Sequence, residues 1–257
     1  LIESKPWFQW HYSPRDISFE TALEEFTSLF EQIIAEQVKD NKVILPLSGG
    51  LDSRTQAVAL AKLRKEVTAY SYSFKGGYSE SAIGKKIAKA SNFDFKEFTI
   101  EPGYLWPKLE ELASLNDCYS EFTHPRQMAV LDELKKMEGV FSLGHWGDVL
   151  FDRGTPEGTR EEDLLDIIIK KIVKKGGMEL ATALWQEWNL EGDFESYLRE
   201  RIAGLLKKID IENPSAKFRA FKSLYWAPRW TSVNLSVFEA AHPIRFPYYD
   251  DRMCEFV

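Results

Sequence analysis

The sequence has few of the residues that build metal clusters and disulfide frameworks: 257 residues include two cysteines and four histidines. Cys118 and Cys254 stand alone rather than in a CxxC pair, which argues against a zinc site. They read as two reduced thiols of a cytoplasmic protein, with a disulfide between them as the alternative. No apolar run reaches the length needed to span a bilayer, so no membrane partner is expected. Positive charge is not in excess either. Against 33 Lys and Arg stand 40 Asp and Glu, a formal net charge of −7, which argues against general nucleic-acid binding. A bound anion must therefore be held by local donors, either backbone N–H groups or a metal ion. No stretch reads as a secretory leader. The chain starts at Leu1 rather than Met and is read as a fragment trimmed at both ends. No internal repeat or low-complexity tract is visible.

What remains is ordinary for a globular chain, 44% hydrophobic and 28% charged, long enough for one large domain or two small ones. Residues 1–17 form an irregular aromatic segment with Trp7, Phe8, Trp10 and Tyr12, expected to pack on another part of the protein. Phe19, Leu23, Phe26, Phe30, Ile33 and Ile34 recur at helical spacing over 18–39. A buried strand at Val43–Leu47 is followed by a helix at Ser53–Lys65, a strand at Val67–Phe74, a helix at Glu80–Ala90 and a strand at Phe93–Ile100. Helices are expected at about 103–115 and 124–137, then a strand at Val140–Leu143. From Arg160 to Ala240 the pattern is helical, punctuated by Gly176-Gly177 and Asn213-Pro214. His242–Pro247 is extended. Strands alternating with helices over 43–144 predict an α/β fold, a doubly wound parallel sheet with a largely helical C-terminal half. The nucleotide-scale sheet region is expected at about 40–150 and the helical part at about 155–257.

One turn carries a chemical signature. Residues 43–56 read VILPLSGGLDSRTQ, a buried strand running into Ser48-Gly49-Gly50-Leu51-Asp52-Ser53. The glycines let the backbone turn tightly and approach a ligand without a Cβ in the way. Ser48 and Ser53 supply hydroxyls, and the following helix supplies free N–H groups and a positive dipole end. That combination is a phosphate cradle. It lacks the lysine and spacing of GxxxxGK[ST] and is not GxGxxG. Asp52 would repel bare phosphate, so its presence suggests Mg²⁺ between carboxylate and phosphate. The bland alternative is a tight turn capped by Asp52. A second glycine turn, Gly144–Asp148, ends the predicted fourth strand. In a doubly wound sheet both turns fall on the same edge, where ligands bind near the switch in strand order.

SGGLDS resembles the pyrophosphate loop of the N-type ATP pyrophosphatases, an adenine nucleotide α-hydrolase-like fold. Residues 140–151, VFSLGHWGDVLF, resemble the LSGEGxDExFGGY segment of the asparagine synthetase branch, with Gly144, Asp148 and Phe151 in register. Residues 245–250, RFPYYD, resemble that branch's RVPFLD. The likeness covers roughly residues 18–257. It implies an ATP-dependent amide-forming ligase, which adenylates an acceptor carboxylate and releases AMP and pyrophosphate when an amine or ammonia attacks.

Carried over by position, the resemblance assigns pyrophosphate binding to Ser48, Gly49, Gly50, Asp52 and Ser53. It assigns Mg²⁺ to Asp52 and Asp148. Leu47, Ser73, Leu143 and Gly144 line the adenosine pocket, largely through backbone groups. The branch's glutamate falls at His145, read here as a base or, in a drifted site, as a residue that merely fills space, and its second glycine falls at Trp146. Pro243 replaces the acidic residue before RVPFLD, and the branch's catalytic lysine lies beyond that segment, outside this chain. A glutaminase domain, which glutamine-dependent members carry, is absent from it too. Arg54 is placed to reach a phosphate or a substrate carboxylate, with a surface salt bridge as the alternative. His124, Pro125 and Arg126 fall in a region the branch uses near its acceptor pocket. Asp152 and Arg153 read as a local ion pair. The lysine pairs at 170–171 and 174–175 read as a solvated face, and Trp185, Trp188, Trp226 and Trp230 as core and seam residues. Two other functions fit less well: a nucleotide-binding or scaffold protein that has lost catalysis, and another ATP pyrophosphatase such as a tRNA-modifying enzyme. The acceptor's identity and the oligomeric state are not encoded in any of these motifs.

Overall fold

The computed structural model describes residues 3–5, 8–77, 81–117, 126–151 and 154–257. Trp7, Cys118, His124, Pro125, Asp152 and Arg153 lie outside them. The chain order is α1 (Phe19–Val38), β1 (Val43–Pro46), α2 (Leu51–Lys62), β2 (Val67–Phe74), α3 (Ser81–Ala90), β3 (Asp94–Ile100), α4 (Leu109–Leu115), α5 (Leu131–Lys135), β4 (Val140–Ser142) and α6 (Gly147–Phe151). Then come α7 (Leu164–Ile172), α8 (Lys175–Glu187), α9 (Phe194–Leu206), α10 (Pro214–Phe221), α11 (Ala227–Glu239), β5 (Ile244–Arg245) and α12 (Asp251–Phe256). No helix among the described residues is long and apolar enough to cross a membrane.

The chain divides into two compact units. Asp16–Phe151 and Ala227–Val257 form the larger, Leu1–Arg15 and Asp152–Trp226 the smaller. The larger unit holds the five-stranded sheet, in the order β3-β2-β1-β4-β5. All four pairings are parallel, with Val43 opposite both Val67 and Val140. The predicted doubly wound parallel sheet is therefore present. Successive strand residues face opposite ways. Ile44, Tyr70 and Phe141 pack with Val130, Leu134, Leu235 and Phe238 on one face. Val43 and Leu45, fully buried, point to the other face, where α1 and α2 bury Phe30, Ile33, Ile34, Ala57 and Leu60. α1 starts where Ser18 accepts the Thr21 N–H through its side chain, the usual way a serine satisfies an orphan donor.

Several boundaries differ from the sequence reading. α2 begins at Leu51 rather than Ser53, because Gly50, extended at φ −70° and ψ 158°, already serves as its N-cap. Asp52 and Ser53 thus lie inside the first helical turn. The helix expected at 124–137 is a 3₁₀ turn, Arg126–Val130, followed by α5. That expected at 103–115 opens as a 3₁₀ turn at Trp106–Lys108, with Pro107 near its start, and becomes α4. Gly176-Gly177 does not break the helical pattern but sits in the first turn of α8. There the N–H groups lack intrahelical partners in any case.

In the smaller unit α7, α9 and α10 bury Leu164, Ile168, Ile202, Phe218 and Phe221, with Trp10 packed against the cluster. Asn213 caps α10 by accepting the Ala216 N–H, and Pro214 occupies the first helical position, where its missing N–H costs nothing. Lys171 is exposed, as a solvated face requires, and also has local partners. Its ammonium donates to the Gly154 carbonyl and lies 5.0 Å from the Phe218 ring centroid. Trp188 is 64% exposed rather than in a core.

One close contact ties β1 to α3. A Cβ on Gly84 would lie 2.6 Å from the Leu47 carbonyl oxygen and 2.7 Å from Ser71 Oγ, and that hydroxyl itself donates to the Leu47 carbonyl. Gly84→Ala is expected to push α3 off the sheet and destabilise the protein by about 2 kcal/mol, in the usual range for overpacking. Urea unfolding of parent and variant measures the difference.

Candidate nucleotide site at the switch in strand order

β1 and β4 are neighbours from which the strand order runs outward in opposite directions. This is the position where open parallel sheets leave a crevice for ligands. The turn after β1 is shaped by its own polar groups. Ser48 Oγ accepts the Gly50 N–H at 3.1 Å and lies 3.2 Å from Ser53 Oγ, which also accepts the Ser48 N–H. The first intrahelical bond of α2 is Arg54 N–H to Gly50 C=O, at 3.3 Å. The amides of Leu51, Asp52 and Ser53 precede it and keep the free, anion-binding character of a helix start. Arg54 is exposed, and its guanidinium folds back to donate to the Gly49 carbonyl at 2.6 Å. It braces the turn rather than forming a salt bridge.

The turn after β4 closes directly on the first. A Cβ at Gly147 would sit 2.5 Å from Asp52 Oδ1, and one at Gly144 would sit 3.2 Å from Asp52 Cβ and from Gln56 Nε2. Only a glycine backbone lets Asp52 lie there. The half-buried Asp52 carboxyl has a raised pKa, first because burial disfavours its charge and second because Asp148 is close. The two acidic side chains singled out from separate turns therefore share one electrostatic neighbourhood. Among the described residues no cluster of three or more His, Cys, Asp or Glu side chains is arranged to hold a metal. Two acidic side chains on neighbouring turns, Asp148 exposed and Asp52 half-buried, fit a hard cation that takes its other ligands from phosphate and water, as Mg²⁺ commonly does.

His145 and Trp146 lie between those glycines. Trp146 has φ +83°, a left-handed backbone that disfavours bulky residues. Its indole is 6% exposed and packs on Tyr249 with ring centroids 4.5 Å apart, and this burial offsets the strain. The largely buried His145 stands edge-on to Phe238 at 5.8 Å and to Phe246 at 6.4 Å. These apolar rings exclude water and lower its pKa to about 4, with Asp148 opposing the shift. The imidazole is neutral at physiological pH, and its buried Nδ1 has no hydrogen-bond partner among the described residues.

Leu47 and Leu143 are buried. Their N–H groups bond to the carbonyls of Tyr70 and Arg245 in the sheet. Ser73 lies near the carboxyl end of β2, in register with Thr99 of β3, and shares the α3 face with Ser71 by strand alternation. Tyr70 and Tyr72 take the opposite face. Residues 245–250 brace the site. Arg245 Nε donates to the Gln37 carbonyl at 2.8 Å, and the Tyr248 hydroxyl donates to the Asp52 carbonyl at 3.2 Å. Phe151 packs edge-on against Tyr248 and Phe26.

Two features were missed in the sequence. Gln56 is fully buried, accepts Ser142 Oγ at 2.5 Å and so ties α2 to the end of β4. Its place four residues after Asp52, on the same helix face, was the available signal. The other is a cavity of about 270 Å³, lined by Tyr72, Arg126, His145, Trp230 and Phe238 with the amides of Gln127 and Asn234. Its walls come from distant segments, and no local pattern marks them.

The family model described as asparagine synthase matches residues 25–257. No curated protein matches the sequence. The solved structure of NMN synthetase from Francisella tularensis aligns with 85% of this chain and 97% of its own, at 14% identity and a TM-score of 0.38. That similarity is too low to bear on function.

The neutral His145 makes stability depend on pH with a definite sign. Its folded pKa of about 4 lies below the ordinary 6.5, so between these values the unfolded chain binds a proton that the folded chain does not. Its contribution is complete above pH 6.5 and is lost as pH falls towards 4. Moving from pH 7 to pH 5 should cost about 2 kcal/mol at this residue. Urea unfolding of parent and His145→Gln at both pH values should show a loss in the parent larger by that amount.

Proposed function

The chain belongs to the asparagine synthase family, and on that premise we propose that it is an ATP-dependent amide-forming ligase. The reaction joins an acceptor carboxylate to the α-phosphate of ATP and releases pyrophosphate. An amine then attacks the acyl carbon, AMP leaves, and one proton is lost from nitrogen. The observation that carries the reading is the meeting of Asp52 with the Gly144–Asp148 turn at the switch in strand order.

Each part of the site then has a task. The amides at the start of α2, with Ser48 and Ser53, hold the departing pyrophosphate through donors fixed before reaction. Asp52 and Asp148 would hold Mg²⁺, which when bound neutralises phosphate charge. Arg54 keeps the turn in shape through Gly49, and Tyr248 does so through the Asp52 carbonyl. Leu47, Ser73, Leu143 and Gly144 supply the ends of β1, β2 and β4 beside which the adenosine lies. His145, neutral and facing the cavity, can accept the proton lost by the attacking amine. Its pKa of about 4 is below the range best suited to that task, and a bound anion beside it would raise it towards neutrality.

A second reading, nucleotide binding without catalysis, is favoured by one observation. Trp146 fills a position with glycine-like φ beside Asp52 and packs on Tyr249, where a small residue would leave room for substrate. It predicts Mg-ATP binding with no pyrophosphate release for any acceptor.

Calorimetry with Mg-ATP tests the shared premise. Binding should require the metal and fall at least about tenfold, or 1.4 kcal/mol, in both Asp52→Asn and Asp148→Asn. Asp52→Asn should at the same time melt no lower than the parent at pH 7. The raised pKa of Asp52 means that its charge costs the folded state stability above the ordinary carboxylate range, and asparagine removes that cost. Full Mg-ATP affinity in both variants would remove the reading.

A further inference from the structure

The cavity beside His145 is more selective than a general carboxylate site. It spans from Tyr72 on β2 to His145 after β4, and β1 lies between those strands. It lies on the sheet face that carries Tyr70 and Tyr72, and no described residue of the turn at 48–53 lines it. Arg126 is its cationic group, and no described acidic side chain lines it. Arg126 itself forms no ion pair among the described residues. Its guanidinium lies 5.7 Å from the Phe74 ring centroid, and its charge is felt by the partly buried Tyr104. Tyr72, Trp230 and Phe238 supply flat walls, and the buried Nδ1 of His145 has no hydrogen-bond partner among the described residues. Asn234 directs its amide N–H to the Trp230 carbonyl at 2.6 Å.

A cavity whose described lining carries one cation, aromatic walls and no acidic side chain favours a carboxylate over an ammonium. Moving an ammonium out of water without a carboxylate partner is heavily unfavourable. A guanidinium free of internal carboxylates offers a two-pronged contact to a carboxylate, and the rings fit a planar apolar body. We infer that the acceptor of this chain is a carboxylate on a flat, apolar body without an α-ammonium group, held by Arg126 between Tyr72 and Trp230. The inference rests on the amide-forming reading for the acceptor's role, while the cavity's preference is measurable without nucleotide.

The probes are two matched pairs that differ only in the ammonium: 3-phenylpropanoate against phenylalanine, and succinate against aspartate. Each is titrated calorimetrically into the protein, alone and with Mg²⁺ and α,β-methylene-ATP. The expected result is 3-phenylpropanoate binding at least about tenfold more tightly than phenylalanine, and succinate more tightly than aspartate. Arg126→Gln should weaken 3-phenylpropanoate by at least about tenfold at unchanged melting temperature, and Arg126→Lys should recover part of the loss. Tyr72→Leu provides a second route if Arg126→Gln folds poorly, since losing the wall should weaken 3-phenylpropanoate more than succinate. Equal or tighter binding of either amino acid would overturn the inference. So would the absence of binding by all four probes at millimolar concentration, with and without nucleotide. Because the arm without nucleotide does not involve ATP, failure there is distinguishable from failure of Mg-ATP to bind.

Discussion

The candidate site depends on how closely Asp52 approaches the backbone of Gly147. The approach needs three things at once. β1 and β4 must be adjacent and parallel, so that their following turns leave the sheet on one edge. α2 must start early enough to put Asp52 in its first turn. The residue facing it must have no Cβ, because that atom would lie 2.5 Å from the carboxylate. Gln56 supports the arrangement from below by bonding Ser142 at the end of β4, and Tyr248 from the side by bonding the Asp52 carbonyl. The turn at 48–53 and the turn at 144–148 take their relative position from this contact.

Much of this was legible in the sequence because it is local. The strand–turn–helix pattern around SGGLDS needs only a short apolar strand, two glycines and a helix start, each with its own residue signature. Alternation of strands and helices was enough to place both glycine turns on one edge, and the sheet order bears that out. Helix starts were less legible. Gly50 acts as a cap through its backbone alone, with no side-chain hydrogen bond, so the position of the α2 start is not marked by a capping side chain. The 3₁₀ turns at 106–108 and 126–130 have helical spacing in sequence, yet differ from α-helix in a hydrogen-bond step that spacing does not reveal.

What was not legible is environmental. A histidine in the sequence has an ordinary pKa. Phe238 and Phe246, about ninety or more residues away in sequence, make His145 a neutral group with a pKa of about 4. The cavity walls likewise come from β2, the turn at 126–130, the turn after β4 and α11. At Trp146 the sequence alone suggests that a glycine position has been lost. The backbone keeps a left-handed φ of +83° there, so the conformation persists while the side chain differs.

These features share a physical consequence. Asp52 carries a charge that its surroundings oppose. Gln56 Nε2, His145 Nδ1 and Trp146 Nε1 are buried without hydrogen-bond partners among the described residues, and Trp146 adds backbone strain. Each unpaired buried group costs roughly 1–3 kcal/mol, so the switch region holds several such penalties close together. A carboxylate that merely caps a helix accepts backbone N–H bonds that lower its pKa, as at Asp193, whereas that of Asp52 is raised. A cation between the two acidic groups, and a polar ligand atom at His145, would each remove a penalty that the protein alone leaves in place. Binding free energy at such a site then includes relief of those penalties as well as new contacts. That is the physical reason for reading the turn as a ligand site rather than as a structural corner.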